Sequence, residues 1–268
     1  MGKYIPMDLT FEHYLKLKQH LNVSEYQKIC DEMKNPRYCP VMASEALKLH
    51  DRGTLALSDK VRVIWIHDVE RPADNYLAKE MADMEHQYGF HSTYNIRVCS
   101  AVTSELRTEL NDIIKLGHEI QYQYEDLVIT QGDIAAARKS FSENLAFLRQ
   151  YYPGISLSFA HGVYKSGFNS TDIFKENNQW CAEKLLMEYG LHRHGELYYF
   201  MSILKNELGD KFHCFAEGTY IGGDEFTKAL RSTKPGDVAV FLQHPPWWSD
   251  LFNMEDLIHL MRKSSFFN

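Results

Sequence analysis

Several partner classes are argued against by what this sequence lacks. Lysine and arginine never cluster, and acids outnumber them 36 to 29; without the basic face that marks a nucleic-acid binder, that partner is not expected. No apolar run approaches the roughly 20 residues of a membrane span, and residues 1–22 hold no apolar core of the signal-peptide kind. The five cysteines (Cys30, Cys39, Cys99, Cys181 and Cys214) are dispersed, with no CxxC pair. An odd, scattered set without such a leader predicts free thiols in a reducing cytoplasm. No glycine-rich loop follows the first strong strand, which argues against a dinucleotide-binding or P-loop fold.

What is present is a large aromatic inventory, 16 Tyr and 15 Phe in 268 residues, and enough chain to bury a substantial core. The pivotal stretch is Val61-Arg62-Val63-Ile64-Trp65-Ile66-His67-Asp68-Val69-Glu70. A near-continuous run of β-branched and aromatic residues suits a strand covered on both faces. Side chains alternate along a strand, so Asp68 and Glu70 share one side while His67 and Val69 take the other. Two carboxylates at the end of a buried strand repel each other and lose hydration, which raises one pKa unless a cation or substrate compensates. The pair is therefore a candidate site. The plainer reading is an acidic strand exit with Glu70 paired to Arg71.

Residues 8–50 carry apolar positions at helical spacing (Tyr14, Leu17, Leu21), interrupted by Pro36 and Pro40. This predicts an N-terminal helical extension over residues 1–56, packed on a main domain of residues 57–268. Beyond the pivotal strand, Leu77, Met81, Met84 and Tyr88 predict a helix stopped by Gly89, and residues 90–98 a strand. A helix capped by Ser104 and closed by Gly117 follows, then a strand over 118–124. Ile134, Ala137, Phe141, Leu145 and Leu148 make another helix face, and residues 155–160 another strand. A helix is expected over 171–189, two short strands within 191–222, a helix over 226–230, a strand over 237–243 and a closing helix over 254–261. Strands alternating with helices imply a mostly parallel sheet. Polar residues stand where separate strands end: Asp68 and Glu70, Gln123 and Glu125, His161, His244. A (β/α) barrel builds a single site at its C-terminal face from such ends.

The order of HDVE, then LGHEIQYQYEDL, then His161-Gly162, then a strand ending LQHP resembles the polysaccharide deacetylase superfamily (NodB-like, carbohydrate esterase family 4). The likeness is nearest to divergent intracellular members found with bacterial surface-glycan biosynthesis, and it spans residues 61–248. It implies an α/β fold, a deformed (β/α) barrel of about seven strands. It also implies a divalent metal, commonly zinc, held by one acid and two histidines, a second acid as general base, and a C-terminal histidine that protonates the leaving amine. Such a metal acidifies water and polarises a carbonyl, while base and acid move the two protons of amide hydrolysis. By this resemblance Asp68 stands at the base position, Glu70 at the acid-ligand position and His244 at the C-terminal histidine. Gly117-His118-Glu119-Ile120 matches the entry to the metal-histidine segment. There the pattern departs: the two metal histidines fall on Gln123 and Leu127, so the usual acid–His–His site cannot form and has been either rebuilt or lost.

For a rebuilt site His161 is the first replacement ligand, against a structural hydrogen bond in its loop. Glu125 is the second, against a loop cap. His67 and His118 have the wrong strand parity and read as structural. Trp247 and Trp248 suit either a sugar-stacking platform or core packing, and Asn169 either a substrate contact or a turn. His192, Arg193, His194 and Glu196 read as an exposed polar turn. The leading expectation is a cytoplasmic, metal-dependent hydrolase removing an N-acyl group from a sugar or surface-glycan precursor. Asp68 and His244 would be catalytic, Glu70, His161 and Glu125 would hold the metal, and Gln123, Asn169, Trp247 and Trp248 would contact substrate. The alternative is a catalytically inactive barrel that binds a sugar or a glycan-assembly partner. Gln123 and Leu127 argue for it; Asp68, Glu70 and His244, retained together, argue against it.

Overall fold

The computed structural model describes residues 21–162, 167–216 and 222–249; Tyr14, Leu17 and the helix expected over 254–261 lie outside them. In chain order the elements are α1 (Val23–Met33), β1 (Tyr38–Val41), α2 (Ala43–Asp51), β2 (Val61–Val69), α3 (Asp74–Gln87), β3 (Thr93–Ile96), α4 (Ser104–Lys115) and β4 (Glu119–Tyr124). The single turn α5 (Asp126–Ile129), α6 (Ile134–Arg149), β5 (Ser158–Ala160) and a small hairpin of β6 (Lys175–Glu176) and β7 (Gln179–Trp180) follow. The rest are α7 (Ala182–Glu188), α8 (Leu197–Leu208), β8 (Phe212–Ala216), α9 (Gly223–Arg231), β9 (Val238–Gln243) and the turn α10 (Pro245–Trp248).

β2 is the central strand of a parallel sheet ordered β5-β4-β3-β2-β9-β8. The short β1 pairs with the first half of one β2 edge, at Val61–Ile64, and β3 with the second half, at Ile66–Val69. The sheet curls into a half-barrel. Its convex face is covered by helices: Val61, Val63 and Trp65 pack with Tyr26, Ile29 and Met33 of α1 and Phe226 and Leu230 of α9. Tyr94, Ile96, Tyr122 and Tyr124 pack with residues of α3, α4 and α6. The concave face carries Ile64, Ile66, Phe159, Val238 and Val240. Both faces are thus buried, which is why β2 reads as an unbroken apolar run.

The barrel expected from the sequence is reached as this half-barrel, and a helix stands in the gap. α8 contacts both β5 and β8, and its buried Leu197, Phe200 and Leu204, one helical face, join the concave cluster. A one-residue bridge from Ser158 to Glu196 extends the sheet past β5.

Three expectations are corrected. Tyr38–Val41 is a strand inside the region read as helical; four residues are too few to show a period, and Pro40 is tolerated at the margin of a sheet. Residues 171–189 are not one helix. Asn177 and Asn178 take φ of 50° and 62°, the paired left-handed turn that matches strand twist and that asparagine tolerates. Residues 197–208, expected among short strands, are helical; their aromatic composition suits a strand, but their burial recurs at helical spacing. On a smaller scale, Thr103 rather than Ser104 caps α4, its hydroxyl accepting from Leu106 N at 3.3 Å. All five cysteines are free thiols, and among the described residues no helix is long and apolar enough to cross a membrane.

Candidate functional site

The inward parity of the strands sets the site. Ile66 faces the concave side, so Asp68 and Glu70 follow it inward; on neighbouring strands the same parity selects Asn95 and Arg97, Gln123 and Glu125, Phe159 and His161, Leu242 and His244. Parallel strands in register bring these C-terminal ends to one mouth. Asp68 lies opposite Asn95, whose Nδ2 donates to Asp68 Oδ1 at 2.9 Å.

Glu70 and two histidines meet there. His161 Nε2 is 3.1 Å from Glu70 Oε1, and His244 Nε2 is 3.4 Å from that oxygen and 4.0 Å from Asp68 Oδ2. Glu125 lies on the far side of His161, its Oε2 2.9 Å from Nδ1, and forms an ion pair with Arg97. Arg97 Nη1 also donates to the Glu70 carbonyl at 3.0 Å. Arg71, the partner suggested for Glu70, makes a two-pronged pair with Asp74 at the start of α3.

Asp68 is buried, and burial is the main reason its pKa rises to about 6; His244 and the Asn95 hydrogen bond hold it down, and Glu70 pushes it up. Two amide oxygens of inward-facing residues, Asn95 Oδ1 and Gln123 Oε1, are buried without a hydrogen-bond partner. Such orphans cost about 1–3 kcal/mol each, and they would accept a ligand N–H or O–H.

Glu70 Oε1 stands between the two imidazole nitrogens, at 3.1 and 3.4 Å, and carboxylate and imidazole are the donor types that a zinc ion takes. Glu125 departs from the ligand role expected of it, because its carboxylate meets the opposite nitrogen of His161. That is where an outer carboxylate orients a metal-ligating ring. Leu127 is buried in the convex core.

Other expected contacts fall elsewhere. Trp248 is a core residue, not a sugar platform: it is 1% exposed, packs on Tyr26 and Phe226 and donates Nε1–H to Gln243 Oε1 at 2.7 Å. Trp247 packs half-buried on that same cluster. Asn169 Oδ1 accepts from Thr171 N and Oγ1 and so caps a turn. His67 and His118 sit on the convex side as parity requires, His67 2.6 Å from the buried Glu85 and His118 accepting from Ser92 N. The supposed exposed turn is largely enclosed: His194 is 8% and Glu196 0% exposed.

Three site residues escaped the sequence reading. Asn95 and Arg97 were legible in principle, since an outward Tyr94 and Ile96 leave them inward. Tyr198 was hidden by the misread helix. It stacks on Phe159 with ring centroids 4.5 Å apart, is 40% exposed at the mouth, and has its pKa raised by burial and then by the Asp68 charge. No protein-family model matches the chain, and no curated protein matches it.

Proposed function

We propose that this protein is a metal-dependent hydrolase of the deacetylase type, built on a barrel of the polysaccharide deacetylase kind, which removes an N-acyl group from a sugar or surface-glycan precursor. The observation that carries this reading is the convergence of Asp68, Glu70, His161 and His244 from three separate strand ends onto one mouth. Glu70, His161 and His244 would hold a divalent metal, zinc by donor chemistry, which when bound would acidify a water and polarise the acyl carbonyl. His244 moves in this reading from proton donor to ligand, because it shares with His161 the same Glu70 oxygen.

Asp68, with a pKa of about 6, is poised for both proton steps near neutrality. It takes a proton from the attacking water and, once protonated, gives it to the departing nitrogen. Arg97 and Glu125 fix the ring of His161. Asn95 and Gln123 offer acceptors to substrate N–H or O–H groups, and the Tyr198–Phe159 stack offers the apolar face that a sugar ring favours. Free thiols suit a reducing cytoplasm, which makes the substrate a precursor rather than a finished wall polymer.

The test is metal content, and amine release from a panel of N-acetyl sugars, for the wild type, Asp68→Asn and Glu70→Ala/His161→Ala. Metal retained with amine release abolished in Asp68→Asn supports the reading. Neither metal uptake nor amine release in the wild type overturns it. The inactive sugar-binding barrel is the second reading, favoured by Gln123 and Leu127 at the positions of the family's metal histidines. Metal-independent sugar binding without turnover would establish it.

A further inference from the structure

At the end of the sheet opposite Asp68, the last turn of α2 meets the loop that leads into α8. His50 and Asp51 come from the helix, and His192, Arg193 and His194 from the loop. One ring nitrogen each of His50 and His194 and one carboxylate oxygen of Asp51 lie within 4.8 Å of one another. The two rings meet edge to face at 5.3 Å. Each presents Nε2 to a carboxylate, Glu207 at 2.9 Å on His50 and Glu183 at 3.4 Å on His194. Each Nδ1 is buried with no hydrogen-bond partner. The loop is held tightly, since a Cβ on Gly195 would stand 2.8 Å from the carbonyl oxygens of His192 and Ser156.

Buried imidazole nitrogens are normally satisfied, and two orphans on rings in contact call for a shared occupant. A carboxylate on the far nitrogen is the arrangement that orients a histidine toward a metal. Two imidazoles and one carboxylate suit zinc, nickel or copper rather than calcium or magnesium.

We propose that His50, His194 and Asp51 form a binding site for a divalent transition metal, separate from the Asp68 mouth, that ties the end of α2 to the loop before α8. Asp51 now accepts from His192 at 2.8 Å and Arg193 at 2.9 Å, so binding turns one of its oxygens from a partner to the ion. An ion bound only by the folded chain stabilises it by mass action.

Metal-stripped full-length protein is titrated with cobalt(II) and zinc(II), reading stoichiometry from cobalt absorption and the zinc-induced shift in Tm. The Glu70→Ala/His161→Ala variant, which leaves His244 as the one remaining mouth ligand, is expected to bind one cation and gain Tm with zinc. Adding His50→Ala and His194→Ala to it abolishes both effects; adding His50→Gln instead, at a half-buried position, weakens binding with less disturbance of the fold. Glu207→Gln in the same background keeps one cation but weakens it by about tenfold or more. No cation bound by Glu70→Ala/His161→Ala, or unchanged binding after His50→Gln and after the double alanine change, overturns the proposal. Neither outcome bears on the mouth site, two of whose three ligands are absent from every variant compared.

Discussion

Glu125 sits 2.9 Å from Nδ1 of His161, on the side of the ring away from Glu70. With acceptors on both nitrogens, the ring is satisfied either doubly protonated or with Nε2 on a cation. Glu125 therefore decides which nitrogen is offered to the mouth. Glu125→Gln removes that charge and leaves Arg97 without its ion partner. Zinc affinity at the mouth is expected to fall by about 10–100-fold, measured by chelator competition. Unchanged affinity would mean that the carboxylate does not orient the ring.

Asp68 predicts opposite effects on activity and stability. Its folded pKa of about 6 lies above the ordinary 3.8. Its contribution to stability is therefore fully present below about pH 3.8 and is lost as pH rises through 6. Asp68→Asn should be as stable as the wild type or more so at pH 8, with the gap closing at pH 4, by urea unfolding. Amine release should drop by about 10²–10⁴-fold. In the wild type it should rise through pH 6 as the carboxylate ionises. Loss of stability at pH 8 would place Asp68 among structural groups.

The inward group was legible because alternation along a strand is a local property. Asp68 and Glu70 separate from His67 by parity alone, and His161 and His244 mark strand ends. What the sequence concealed depends on contacts between distant segments. Nothing local distinguishes a Trp248 that turns back onto Tyr26 from one that faces a mouth, or shows Arg71 reaching Asp74. The four residues of β1 carry no period, and Tyr198 reaches the mouth only because α8 fills the gap between β5 and β8.

On the convex side a buried carboxylate, Glu85, makes the fold sensitive to acid. Glu85 receives Ser92 Oγ at 2.5 Å and Tyr94 OH at 2.9 Å and faces His67 Nε2 at 2.6 Å. Burial pushes its pKa up, but His67, His118 and these hydrogen bonds outweigh burial and bring it to about 2, below the ordinary 4.5. The sign is that of a depressed acid: its stability is present above pH 4.5 and is lost as pH falls toward 2, roughly 3 kcal/mol in all. Glu85→Gln should cost about 1–3 kcal/mol at pH 7, because the buried hydroxyls of Ser92 and Tyr94 lose a charged acceptor. It should also flatten the stability profile between pH 4.5 and 2. A cost under 1 kcal/mol would show that the carboxylate is dispensable.

Glu196 behaves the other way. It caps α8, accepting from Tyr199 N at 2.7 Å and from Tyr124 OH at 3.3 Å, and its backbone bridges to Ser158 at the edge of the sheet. Burial raises its pKa to about 7 from the ordinary 4.5, with the hydrogen bonds from Tyr199 and Tyr124 opposing. Its contribution is fully present below pH 4.5 and lost as pH rises through 7. Glutamine keeps an acceptor for the cap and removes the ionisation. The stability of Glu196→Gln relative to the wild type should therefore improve from pH 5 to pH 9 by up to roughly 3 kcal/mol, measured by denaturant unfolding at each pH. Because this carboxyl anchors α8 against β5, amide exchange at Tyr199 in the wild type should quicken over the same interval beyond its intrinsic pH dependence, and the variant should not show it. A pH-independent difference between the two proteins would mean that Glu196 does not titrate on folding, and that α8 is held by Leu197, Phe200 and Leu204 alone.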